Sequence, residues 1–357
     1  MFKQLASLFG RKADAGPGEP VGATTRFDVY STLQLVAQPS FAHRLEQHRD
    51  LSDPAFYAHL NDLCRAVQAR GQAAMSVHEY HVILHLQRVQ HQFTIAIGAD
   101  DLAAFGQWAQ AANAIMVTTD GSVLDPQARV LVGAGDGKFD PQAALPYPPR
   151  ALARKAATEA ALAARAINVP VTLPPLICED ELALRSRDEV IERARALLLV
   201  ALRAESVASG EAMPVDTLLG KMPLADDALS PGEQAFLAQA EPTPEQCAPF
   251  IWRYESLYVL EWALGMVKEL PYPDVACDPA ATAAALIGMR GPQLRPVSEI
   301  VDALDMTYRL HWHVRQARLK QGNMGSLDAD VITERHHALN WLVQFQHAPW
   351  DEVDTPT

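Results

Sequence analysis

Large apolar residues are densest over residues 249–265, PFIWRYESLYVLEWALG, a run that also carries three charges. On a helical projection the run is apolar nearly all round, the pattern of a buried helix rather than a surface one. Thr243-Pro244-Glu245-Gln246 fits a helix start: a Thr cap, Pro in the first turn and Gln three residues after the cap. Pro249 follows closely and belongs in a first turn, so the long helix is expected to begin there. Gly265, or the pair Pro271 and Pro273, is expected to end it.

Before this run the pattern changes period. Residues 27–38 alternate as a strand, and 52–70 carry the helical stripe Phe56, Leu60, Leu63, Val67. Residues 77–87 and 90–97 read as strands joined by a tight turn, 100–113 as a helix and 114–119 as a strand. A hairpin over 119–132 follows, with Asp120-Gly121 as its turn. Strand, helix, strand, strand, helix, strand is the ferredoxin-like order. From 151 onward the pattern is helical: 151–166, 186–209 behind a Ser186…Glu189 capping box, a start at Ser230-Pro231, then 279–289, 297–320 and 331–346. The stretches 13–25 and 133–150 are rich in Gly and Pro and read as linkers. The expected fold class is α+β. It comprises a flexible tail (1–25), a ferredoxin-like α/β sandwich (26–133), a connector (134–150) and a mostly α-helical domain (151–357).

Composition narrows the function classes. The 357 residues are 49% hydrophobic and 20% charged, ordinary for a globular chain. A formal net charge of −13 argues against a nucleic-acid partner and is compatible with a basic protein partner. Cys64, Cys178, Cys247 and Cys277 lack metal-ligand spacing, which suggests reduced thiols in a cytoplasmic protein. No apolar run approaches the length of a membrane span, so no integral membrane association is expected. The start, MFKQLASLFGRK, has a short apolar stripe but no signal-peptide core. No cofactor motif is present: the glycines of 133–150 match neither a phosphate loop nor a dinucleotide fingerprint.

The segment VHEYHVILHLQ holds three histidines. Read as a strand, it places His81 and His85 on one face but about 13 Å apart, too far to share one metal ion. No metal site is expected there or elsewhere.

The candidate chemistry lies in the helical half. Trp252, Glu255, Val259 and Trp262 share one helical face. A carboxylate between two indoles must find a cation, take a proton or reach water. It is either half of a buried ion pair or a general acid or base. In VITERHHALNWLVQF, Arg335 falls among core positions and is the expected partner of Glu255, with Arg253 as the local rival. Glu334, His337 and Trp341 line the adjoining face. On 297–320, Tyr308, His311 and Arg315 share a face, and Asp305 lies one turn before Arg309. Glu255, Arg335, His337, His311, Arg315, Trp252 and Trp262 are thus the pocket candidates: Arg for an anionic group, His or Glu for proton transfer, Trp for a ring. The same residues equally suit a buried polar network that fixes helix packing.

Several of these residues carry a family resemblance. Arg154-Lys155, Leu173-Pro174, RSRDEVIERA from Arg185, LSPGEQAFL from Leu229, WRYESLYVLEWALG from Trp252, PYPDVACD from Pro271, LDMTYRLHWHVR from Leu304, ERHHALNWL from Glu334 and WDEV from Trp350 together resemble the domain of unknown function 4272 family. The resemblance covers about residues 154–354. It implies a helical domain and no activity. Two functions are therefore expected as alternatives. One is a protein-binding or regulatory module, of adaptor or immunity type, with an acidic surface. The other is an enzyme acting on a small anionic or ring-bearing substrate.

Overall fold

The computed structural model describes residues 18–20, 22–70, 75–135, 138–222 and 228–357. The apolar N-terminal stripe and the first part of the expected tail lie outside them. The chain divides into two compact units between Pro148 and Pro149.

The first unit contains β1 (Thr24–Ser31), β2 (His43–Asp50), α1 (Phe56–Gln68), α2 (Val77–Leu86), β3 (His91–Gly98), α3 (Leu102–Ala111), β4 (Ala114–Thr118), β5 (Val123–Leu124) and β6 (Val130–Val132). The strands form one sheet, β2-β3-β1-β4-β5-β6, with every pair antiparallel. Strand alternation sends Tyr30, Ile115 and Val117 to one face, where Phe56, Leu60, Val82 and Leu86 of α1 and α2 cover them. Phe27, Val29, Ile95 and Met116 point the other way, against Phe105 and Trp108 of α3.

The expected α+β class is observed, an antiparallel sheet unit with its own helices followed by a helical unit. Its element order differs at two places. Of the expected strand over 77–87, Val77–Leu86 form a helix instead. Ser76 and Glu79 make a reciprocal capping box, with Ser76 Oγ accepting from the Glu79 N–H at 3.1 Å and Glu79 Oε2 accepting from the Ser76 N–H at 2.6 Å. The apolar set Val82, Ile83, Leu86 fits a helical face as well as the alternation Tyr80, Val82, Leu84, Leu86 fits a strand. The 13 Å separation expected for His81 and His85 therefore does not hold, since they lie one helical turn apart. His85 is buried with Nε2 donating to the Tyr30 carbonyl at 3.1 Å, and burial pushes its pKa down to about 3. The second difference is β2, which was not anticipated. HRLEQHRD has one apolar residue in eight and forms a largely exposed edge strand.

The second unit contains α4 (Pro149–Ala163), α5 (Arg187–Ala208), α6 (Val215–Lys221), α7 (Pro231–Leu237), α8 (Pro244–Ile251), α9 (Arg253–Ala263), α10 (Pro279–Ile287), α11 (Val297–Lys320) and α12 (Ala329–Leu342). The single long helix expected from Pro249 is instead two. Thr243 does cap α8, in a capping box with Gln246, and Pro249 sits inside that helix. Proline cannot donate to the preceding turn, and the helix breaks at Trp252 before α9 begins. Gly265, at φ +69°, ends α9: the Gly265 N–H donates to Trp262 O and the Met266 N–H to Glu261 O, a Schellman closure. α9 is buried along almost its whole length, among Leu197 and Leu198 of α5 and Leu339 and Leu342 of α12. Among the described residues no helix is long and apolar enough to cross a membrane.

Candidate functional site

The helical unit buries several ionised side chains, and nearly all are paired. Glu255 on α9 and Arg335 on α12 are each almost wholly buried. Arg335 Nε donates to Glu255 Oε2 at 3.0 Å, and Arg335 Nη1 to the Pro271 carbonyl at 2.6 Å. Glu255 Oε1 also accepts from the Cys277 N–H. The pair thus ties α9 and α12 to the Pro-rich segment after α9. Arg253, the local rival, goes elsewhere: it pairs with Glu334 at 3.1 Å, and Ser256 Oγ donates to the same carboxylate at 2.8 Å.

The other candidates fall into separate groups. His337 Nε2 donates to the Trp350 carbonyl at 3.0 Å. The Trp350 ring is enclosed by Arg193 at 4.7 Å, Arg253 at 5.7 Å, and the rings of His337 and Trp341. Burial, helped by Arg253, pushes the His337 pKa down to about 4. His311 meets His336 nitrogen to nitrogen at 2.8 Å, and burial with nearby Arg315 lowers the His311 pKa to about 4. These imidazoles are neutral at pH 7 and engaged in packing. Arg315 is exposed and donates to Thr357. Trp252 is half-buried at the bend between α8 and α9.

Only Trp262 and Arg335, of the seven candidates, line a common cleft of about 530 Å³. Arg295 covers the Trp262 ring at 5.0 Å, and Arg165 covers the ring of Tyr272 at 4.4 Å on the same cleft. The Nη2 of Arg335 is buried with no hydrogen bond. Glu255 does not line this cleft.

Thiol chemistry finds no activated group. The four cysteines are free, and burial raises every thiol pKa, Cys277 up to about 12 and Cys64 and Cys178 to about 11. Among the described residues of this unit, no three metal-ligating side chains converge.

Several interior groups lie outside the expected set. Arg309 is fully buried and bidentate on Asp305, at 2.9 and 3.0 Å. Its place one turn after Asp305 was the signal for it. It also donates to the Pro174 carbonyl, while Lys155 donates to those of Val171 and Leu173. These bonds fasten the extended 168–176 segment to the helices. Arg193 pairs with Glu233, which completes the capping box of α7 with Ser230. Glu261 is different. It is fully buried, neither oxygen has a partner of normal hydrogen-bond geometry, and burial raises its pKa to about 8, opposed only in part by the Leu286 N–H. Only its place in an apolar run signalled it.

Residues 154–353 match the family described as a domain of unknown function (DUF4272). No curated protein and no solved structure matches the chain significantly. The match spans more than half of the 357 residues and takes in the Glu255–Arg335 pair and the Trp350 enclosure. The chain belongs to this family of domains of unknown function.

Proposed function

We propose that the protein is a cytoplasmic binding or regulatory module, of adaptor or immunity type, that engages a basic protein partner through an acidic face of its helical unit. The observation that carries this reading is where the charge lies. Residues 149–357 hold 29 acidic and 19 basic side chains, against 14 and 11 in residues 1–148. Arg203 donates to the carbonyls of Met213 and Ala240, drawing two loops to the end of α5. Glu205, Glu211, Asp216, Glu241 and Glu245 are exposed on and around these loops. The interior supports binding over catalysis: the buried Arg193, Arg309 and Arg335 are paired with carboxylates, its imidazoles are neutral and its thiols protonated. Four free cysteines support a reducing compartment.

The test is co-purification from native cell extract at about 0.1 M and about 1 M salt, where the screening length falls from roughly 10 Å to roughly 3 Å. A stoichiometric basic protein should be retained at low salt, released at high salt and lost with Glu211→Lys, Asp216→Lys and Glu241→Lys combined.

The cleft favours a second reading, a site for a small anionic or ring-bearing ligand. Trp262 and Tyr272 offer ring faces there, and Arg165 and Arg335 offer positive charge. In the same experiment, a partnerless protein carrying a bound small molecule would support this reading over the first.

A further inference from the structure

The edge of the first unit's sheet carries a group of side chains that neither reading uses. His48 and Asp50 are two residues apart on β2 and so share a face. The register pairs His48 with Phe93 and Asp50 with His91, which puts His91 of β3 on that face too. His48 Nε2 and His91 Nδ1 lie 3.1 Å apart. One ligand atom from each of His48, Asp50 and His91 lies within 4.8 Å of the others. Two imidazole nitrogens bound about 2.0–2.1 Å from one metal ion would sit roughly 3.0–3.4 Å from each other. The histidine pair already has this spacing.

The surroundings orient each ligand. His91 Nε2 donates to the Gln34 carbonyl at 3.0 Å. A carbonyl only accepts, so in the neutral ring Nδ1 carries the lone pair and faces His48. A backbone carbonyl fixing the tautomer in this way is the usual outer partner of a metal-bound histidine. The His48 ring lies flat on Phe93, with centroids 4.7 Å apart and planes 8° apart. Asp50 Oδ1 accepts from both the N–H and the Oγ of Ser52, at 2.9 and 2.6 Å. Among the described residues, Asp50 Oδ2 makes no hydrogen bond.

We propose that His48, Asp50 and His91 bind one divalent first-row transition ion, with zinc the reference case and cobalt and nickel as congeners. Two imidazoles and one carboxylate suit these ions, whereas magnesium and calcium prefer all-oxygen sites. With no ion, His48 Nε2–H donates to His91 Nδ1. On binding, the His48 proton moves to its Nδ1 and both facing nitrogens become ligands. Three protein ligands leave at least one position for water or an incoming group, because His48 is exposed and the site opens outward. The ion would also cross-link β2, an edge strand with little apolar side chain to hold it, to β3.

The test uses untagged, chelator-treated full-length protein. Zinc is followed by calorimetry and cobalt by visible absorption. One equivalent of either should bind. His91→Ala and His48→Gln should each weaken binding by at least about 100-fold, and Ser52→Ala by roughly 10- to 100-fold through loss of the carboxylate's support. His48→Gln is an exposed substitution, and circular dichroism of each variant confirms the fold. Failure of the folded parent to bind either ion overturns the proposal. So does binding that survives unchanged in His48→Gln and His91→Ala, since the ion would then sit on other histidines.

Discussion

Glu255 and Arg335 illustrate how a residue's place in a stripe foretells its partner. Each occupies a core position in a helical pattern, and a buried charge needs its opposite nearby. Their pairing at 3.0 Å follows. Glu255→Gln keeps an acceptor for the Cys277 N–H but leaves Arg335 uncompensated, so it should cost about 3–5 kcal/mol in denaturant unfolding. A loss under about 0.5 kcal/mol would show that the pair carries no stability. Glu261 behaves in the opposite sense. Its folded pKa, about 8, lies above its unfolded value. Its favourable contribution is full below the unfolded carboxylate range and is lost as pH rises through about 8. The slope is roughly 1.4 kcal/mol per pH unit over that window. Glu261→Gln should therefore gain stability over the parent as pH rises from about 5 to about 8, and unfolding curves at several pH values read this directly. A constant difference across that range would place the carboxylate in contact with water. The Trp350 enclosure was not legible in the sequence, because Arg193, Arg253 and the pair His337 and Trp341 come from three separate helices and converge on an indole in a stretch without helical period.

Local signals at the element scale decided the structure where hydrophobic period left it open. Over 77–87 the apolar positions satisfy both a period of two and a helical face, and only the Ser76–Glu79 box separates them. Ser76→Ala should cost about 1 kcal/mol, read as a lowered melting temperature of the sheet unit. An unchanged transition would mean that packing against the sheet holds α2 without its cap. The same lesson applies at 243–263, where the Thr243 cap is used and Pro249 breaks the helix instead of starting it. α5, with both a cap and a stripe, was legible close to its ends, and so was α11 from its apolar stripe without a side-chain cap. β2 was not, since an exposed edge strand buries too little to imprint alternation.

For the molecule as a whole, the two-part order was readable from the change of period near residue 150, and the family match covers the helical part alone. Of the seven candidate residues, Arg335 and Trp262 meet on one cleft, Glu255 backs Arg335, and His337, His311, Arg315 and Trp252 serve elsewhere. Sequence faces identify which residues are interior, but not which interiors are shared, because that depends on helix packing across long separations. With its interior charges largely paired, the helical unit directs its remaining acidity outward. The decisive measurement is the salt-dependent co-purification, run side by side for the parent and the combined Glu211→Lys, Asp216→Lys, Glu241→Lys variant. The binding account expects one basic protein in stoichiometric amount with the parent at about 0.1 M salt, and none at about 1 M or with the variant. A parent that emerges without a partner, or a partner held equally by the variant and at high salt, would contradict it.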